Sequence, residues 1–202
     1  DSYAFYKSGY CGSVDVPASV KTIGSNAFNG QNYIQFVIIR STTPPQVESD
    51  SFKNGCIIYV PDGCVETYAN DKNWKRWKNN IKEMPIIDNG IWYEPISDNE
   101  VAVINNCQVF SPYSMFMCSD YAGDITIPET VEHNDVTYQV TTIGNFAFGH
   151  CERLNSVTLP ATITNIKNSV FTIYYAMDGN LALDTLTVLA TTPPQVAEDS
   201  FN

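Results

Sequence analysis

Apolar residues recur along this chain at a spacing far longer than that of a helix or a strand. Ala4-Phe5, Ala27-Phe28 and Ala147-Phe148 stand in one context, with 23 residues from Phe5 to Phe28, 24 from Phe28 to Phe52 and 23 from Phe148 to Phe171. The positions between keep step. Counting from Phe5, positions +6, +9, +11, +15 and +18 are Cys11, Val14, Val16, Val20 and Ile23, with Pro17 at +12 and Gly24 at +19. Counting from Phe148 they are Leu154, Val157, Leu159, Ile163 and Ile166, with Pro160 and Lys167. Phe28 opens the same register through Ile34, Val37 and Ile39 before it diverges. A fixed period of this length marks stacked supersecondary units.

Each unit reads as a short strand and turns. Val14-x-Val16 and Val157-x-Leu159 alternate, so each pair points to one face of a strand. Pro17 and Pro160 end those strands, because proline donates nothing to a ladder. The Phe and the +6, +15 and +18 residues fill the inside of a coil. One coil cannot bury its own faces, so neighbours must stack into a continuous core. A second similarity is longer: Thr42-Thr43-Pro44-Pro45-Gln46-Val47 matches Thr191-Thr192-Pro193-Pro194-Gln195-Val196, and Asp50-Ser51-Phe52 matches Asp199-Ser200-Phe201, both at an offset of 149. The offset grows from 143 through six residues inserted near Met177-Asp178-Gly179-Asn180, a polar, Gly-centred stretch that reads as a longer turn.

These residues carry a family resemblance. The segment Ala147-Phe148-Gly149-His150-Cys151-Glu152-Arg153-Leu154-Asn155-Ser156-Val157-Thr158-Leu159-Pro160 resembles the A-F-x-x-C-x-x-L-x-x-V-x-I-P pattern of BspA-like leucine-rich repeats, which are common in surface proteins of Bacteroides and relatives. Asp124-Ile125-Thr126-Ile127-Pro128-Glu129-Thr130-Val131 resembles the first strand of such domains. Nine extra residues around His133 to Val140 then precede Thr142-Ile143-Gly144 and predict a small hairpin. Ser8 stands where the pattern has Cys, and Lys167 replaces Gly. The fold class implied is a leucine-rich-repeat solenoid of short β-strands and turns with a 23-residue period.

The chain divides in two on this reading. Residues 1–84 hold the end of a first repeat module: coils to about residue 55, a last strand Ile57-Ile58-Tyr59-Val60-Pro61, and a helical lid over 62–84. In the lid, Tyr68, Trp74, Trp77 and Ile81 fall at spacings near three and four among Lys, Arg and Asn, so one side is apolar. Residues 85–202 hold the start of a second module, with a β-hairpin cap over 85–124 and repeats over 125–202. The hairpin joins Ile91-Trp92-Tyr93 to Val101-Ala102-Val103-Ile104 through Ser97-Asp98-Asn99. Residues 82–90, with Pro85 and the turn Asp88-Asn89-Gly90, are the expected boundary. Residues 1–84 show no opening cap and 85–202 no lid, which predicts a fragment of a longer tandem array and a tendency to associate end to end.

Composition narrows the function. Charged residues make up 16% of the 202, so Asn, Ser and Thr supply the polarity, as on many extracellular β-rich proteins. The net charge of −11 disfavours nucleic acid as a partner. No apolar run reaches the roughly 20 residues that a membrane helix needs. Six Cys are present: Cys11, Cys56, Cys64, Cys107, Cys118 and Cys151. Their even count permits disulfides, with Cys107 and Cys118 the pair closest in a hairpin, but most read as small buried hydrophobes.

The search for chemistry yields no catalytic, cofactor or metal site. His133 and His150 are the only histidines. His150 beside Cys151 is no catalytic pair, because adjacent residues of a coil diverge and Cys151 falls at an interior position. Carboxylates are scattered, so no glycosidase pair stands out. Asp178-Gly179-Asn180 lacks the spacing of an EF-hand calcium loop. What is left is the outward side of the repeat strands: Ser13 and Asp15, Phe36 and Ile38, Ser156 and Thr158, Thr185 and Thr187, with Thr126 before them. Asp15, Phe36, Ile38, Ser156, Thr158, Thr185 and Thr187 are the candidate interaction face. Most are small and polar; Phe36 and Ile38 are either a contact spot or covered by a neighbouring element. The resemblance implies a non-catalytic binding or adhesion scaffold, secreted or on a bacterial cell surface, since some relatives bind host matrix proteins. The alternatives are a structural spacer presenting another domain, or a carbohydrate-binding surface protein; the ligand itself, protein or glycan, is not named by the sequence.

Overall fold

The computed structural model describes residues 1–6, 13–30, 34, 36–106, 121–149, 151, 153–172 and 183–201. They form two compact units, one over Asp1–Met84 and one beginning at Pro85. Each has its own apolar core.

In the first unit, β1 (Ser13–Val16), β2 (Thr22–Ile23), β3 (Phe36–Ile39), β4 (Gln46–Val47) and β5 (Ile57–Val60) are short strands separated by turns. They stack as parallel ladders. Ser13 pairs with Phe36 and Phe36 with Ile57. Beside that sheet, Thr22 pairs with Gln46 in a second two-stranded ladder. Val14 and Val16 are buried and Asp15 is exposed, as strand alternation requires. Phe5, Phe28 and Phe52 form a column of nearly parallel rings, with centroids 5.2 and 5.4 Å apart.

The top of this column is closed by aromatic residues. Helix α1 (Val65–Asn70) and a 3-10 turn (Lys75–Trp77) bring Trp74 and Trp77 to 5.6 and 5.2 Å from the ring of Phe52. Two hydrogen bonds latch them to the coil below: Tyr68 Oη donates to the Ser41 carbonyl, and Trp74 Nε1 donates to the Pro45 carbonyl at 2.9 Å. Thus the segment from Ser41 to Pro45, which holds the Thr42-Thr43-Pro44-Pro45 motif, accepts both bonds. The sequence spacing places Ile81 on the helical side, but Ile81 lies in a strand, β6 (Ile81–Glu83), parallel to β5 with Ile58 opposite Ile81. The helical turns end at Asn80, whose carbonyl accepts from Ile58 N at 2.8 Å; extending the chain there pairs the otherwise bare edge of β5.

The second unit opens with two hairpins. β7 (Ile86–Asp88) turns into β8 (Ile91–Pro95) through Asn89-Gly90, both at positive φ, the two-residue turn whose twist suits a hairpin. β9 (Glu100–Ile104) pairs antiparallel with β8. Then come β10 (Ala122–Thr126), the hairpin of β11 (Thr130–His133) and β12 (Val136–Ile143), and β13 (Arg153–Leu159), β14 (Asn165–Ile166), β15 (Thr185–Val188) and β16 (Gln195–Val196). One sheet has the order β10-β13-β15; the other runs β16-β14-β12-β9-β8-β7. Repeat pairings are again parallel, such as Ser156 with Thr185 and Thr142 with Asn165.

A second ring column, Tyr121-Phe148-Phe171-Phe201, has centroid separations of 5.2, 5.4 and 5.4 Å. The residue two before Phe5, Phe28, Phe148 and Phe171 takes a left-handed φ: Tyr3, Asn26, Phe146 and Ser169 at 58°, 54°, 55° and 53°. The Asp-Ser-Phe motif braces this bend from the next coil. Asp50 accepts from Ser25 Oγ and Asn26 Nδ2, each at 2.8 Å, and Asp199 accepts from Ser169 Oγ at 3.3 Å. Ser51 and Ser200 donate to the carbonyls of Gly24 and Lys167 at 2.9 and 2.7 Å.

Candidate functional site

Parallel pairing in register sets the outward side chains in rows. In the second unit β10, β13 and β15 align Asp124, Ser156 and Thr185 in one row, and Thr126, Thr158 and Thr187 in the next. Neighbours across the strands are about 4.8 Å apart and the rows about 6.6 Å apart, by strand geometry. Asp124, Thr126, Thr185 and Thr187 are exposed; Ser156 and Thr158 are half-buried. Ser156 Oγ donates to Asp124 Oδ1 at 2.7 Å, which fixes that corner of the face. The result is a grid of five hydroxyls and one carboxylate, with a register irregularity between Gly123 and Asp124 at its edge. It offers donors and acceptors at regular intervals and no nucleophile-base pair. Asp124 is a member that the sequence reading passed over, although it stands two positions before Thr126 on the same strand.

The first unit presents a different surface. Its rows are Ser13-Phe36-Ile57 and Asp15-Ile38-Tyr59. Phe36 does not lie open: it is only 6% exposed, and its ring meets Tyr59, itself 5% exposed, edge to face at 5.5 Å. Ile38 is half-buried. Phe36 shares a row with Ser13 and Ile57, and there its large ring is shielded by its neighbours rather than presented to solvent. The signal for Tyr59 was its place two residues beyond Ile57 in the last strand. Asp15 is exposed at the edge and held bidentately by Arg40, with Nε to Oδ1 at 3.0 Å and Nη2 to Oδ2 at 2.7 Å. That hydrogen bond pushes the Arg40 guanidinium up from its ordinary value.

The titratable groups inside the protein serve the fold. Burial pushes the Cys56 thiol up to about 12, so it stays protonated and a poor nucleophile at neutral pH. Burial likewise raises Tyr68 to about 12. Tyr121 Oη donates to the Ile104 carbonyl at 2.8 Å and accepts from Trp92 N at 2.9 Å, tying β8 and β9 to the ring column; burial raises it too. Cys151 is buried at its interior position, and His133 Nε2 lies 3.0 Å from Asn134 Nδ2 at the β11–β12 turn. Cys56 and Cys64 are free thiols. Cys11, Cys107, Cys118, His150 and Asp178-Gly179-Asn180 lie outside the described residues. Among the described residues no three His, Cys, Asp or Glu side chains converge as metal ligands. No described helix is long and apolar enough to cross a membrane. An apolar hollow of about 200 Å³ is walled by Ala4, Phe5, Val14, Val16, Val20 and Ile23, which are interior repeat positions, so it belongs to the core column.

With the repeats, their ring columns and their outward rows in view, the class is that of a leucine-rich-repeat protein. The chain belongs to the BspA-type leucine-rich repeat family, whose model matches six copies over residues 1–61 and 112–177. No curated protein matches it. Among solved structures, it is similar to a leucine-rich cell surface protein from Faecalibacterium prausnitzii A2-165, at 14% identity and a TM-score of 0.39, over 94% of this chain and 50% of that one. The chain therefore spans about half the length of that protein.

Proposed function

We propose that this chain is a solenoid of roughly 23-residue coils acting as a non-catalytic interaction scaffold outside the cell or on its surface. On this reading the two compact units are successive modules, the aromatic lid closing the first and the paired hairpins opening the second. The observation that carries the proposal is the in-register grid Asp124, Thr126, Ser156, Thr158, Thr185 and Thr187, an ordered polar surface built on rigid strands. Binding residues set on a rigid framework lose little freedom when a ligand docks. Family membership supports a scaffold role, and the name of the Faecalibacterium protein supports a surface location. Adhesion to host matrix protein or glycan is the finer form of the reading.

The test is a binding panel of matrix proteins and glycans against the full chain, with Thr158→Arg and Thr187→Arg as variants. A retained ligand that both substitutions release is the expected result. A ligand held equally well by the variants would move the site off this face, and an empty panel would favour a spacer.

A further inference from the structure

Charge is distributed very unevenly along this acidic chain. Residues 1–84 carry nine Lys and Arg against eight Asp and Glu, whereas residues 85–202 carry two against fourteen. Five of the eleven cations lie in residues 72–82, a stretch without Asp or Glu: Lys72, Lys75, Arg76, Lys78 and Lys82. This is the lid of the first unit.

The backbone sorts these residues. Trp74 N donates to Asp71 O, Trp77 N to Trp74 O, Lys78 N to Lys75 O and Asn80 N to Trp77 O, so three-residue turns follow one another, the middle one a 3-10 turn over Lys75–Trp77. In such winding, side chains three apart eclipse one another. Trp74 and Trp77 share the inner row and are buried on the ring column. Arg76 is turned to the coil beneath, donating to Ser49 O at 2.7 Å and to Asn54 Oδ1 at 3.4 Å. Lys72, Lys75 and Lys78 fall in the third row, all exposed. Lys75 and Lys78 are about 6 Å apart along the axis by the rise of the 3-10 turn, and Lys72 stands three residues before them. Among the described residues none of the three forms an ion pair.

We propose that Lys72, Lys75 and Lys78 form a binding site for an acidic polysaccharide, held through its carboxylate or sulfate groups. A row of flexible point charges set three residues apart suits a thin linear polyanion whose charges repeat along its length. The same features disfavour other anionic partners. A duplex or an anionic membrane is broad, and would bring the acidic remainder of the chain against further negative charge. Single-stranded nucleic acid is gripped by stacking on exposed aromatic rings, and here both Trp rings are buried. A protein partner wants a desolvated apolar anchor, which this row lacks. The site lies on the lid, separate from the strand grid, so the two proposals stand or fall independently.

The full chain is titrated with heparin, polygalacturonate, neutral dextran and an oligothymidylate, at low and at physiological salt. Binding to heparin or polygalacturonate but not dextran, weakening as salt rises, is expected. Lys72→Glu/Lys75→Glu/Lys78→Glu should weaken it about tenfold or more through the lost charge contacts. Lys72→Arg/Lys75→Arg/Lys78→Arg should keep it, which separates charge from a folding defect. Lys21→Glu/Arg153→Glu/Lys167→Glu changes the net charge equally at exposed positions elsewhere and should lose far less. Four results would overturn the proposal: no polysaccharide bound, the lid Glu variant binding like the parent, the control losing as much, or the oligothymidylate bound more tightly than either acidic polysaccharide.

Discussion

Truncation of Phe148 to Ala tests the stacked-coil account at its centre. The Phe148 side chain is 1% exposed, with Tyr121 5.2 Å on one side and Phe171 5.4 Å on the other. Its amide also donates to Val170 O at 3.0 Å, so the backbone rung is expected to survive while the ring is lost. A core Phe→Ala change costs about 3–5 kcal/mol from lost transfer energy and the cavity left behind. Two ring neighbours and a rigid ladder on either side limit collapse of the cavity, which places the cost near the top of that span, about 4–5 kcal/mol. For a single transition of a chain of this size each kcal/mol moves the midpoint by roughly 2–4 °C, so a fall of about 8–20 °C is expected. Two units need not melt together, so protection of the Phe148, Phe171 and Lys167 amides in hydrogen exchange is the more local assay. A loss under about 1 kcal/mol would refute the column, because no fully buried ring between two others is that dispensable.

Three further perturbations read other parts of the framework. Gly144→Ala should destabilise by about 1–3 kcal/mol, since a Cβ there would sit 2.8 Å from the Val103 carbonyl oxygen, and an unchanged melting midpoint would contradict that close approach. Asn26→Ala should cost about 1–2 kcal/mol by denaturant unfolding, and Asn26→Gly less, because both lose the side-chain bonds to Asp50, Ser25 and Asn29 but glycine keeps the left-handed φ; equal losses would discount the backbone contribution. Stability should be whole below pH 9 and fall as pH rises towards 12: unfolded Cys56 and Tyr68 ionise near 9 and 10, while burial holds the folded groups near 12, so the unfolded chain binds fewer protons in that window. Melting midpoints against pH should fall less steeply in Cys56→Ala.

Much of this was legible in the residues because it rests on periodicity. Phe28, Phe148, Val14-x-Val16 and Val157-x-Leu159 recur at fixed spacing, and spacing alone assigns inside and outside in a strand. Turn chemistry was legible too at Asn89-Gly90, which holds the positive φ that a tight hairpin requires. What escaped depends on contacts distant in sequence. The burial of Phe36 against Tyr59 follows from the shape of a neighbouring coil. The pairing of Ile81 with Ile58 answers an open sheet edge, which overrides the helical spacing of Tyr68, Trp74 and Trp77. The left-handed residue two before Phe5, Phe28, Phe148 and Phe171 is Tyr, Asn, Phe and Ser in turn, so no single residue type announces it.

The scaffold account is tested most directly by a footprint. Once the panel yields a ligand, amide hydrogen exchange of the full chain is compared with and without it. Slower exchange concentrated on 122–126, 153–159 and 185–188, and its loss in Thr158→Arg, is the result expected if the strand grid is the binding face. Protection confined to any other surface, with those three strands unchanged at saturating ligand, would contradict it.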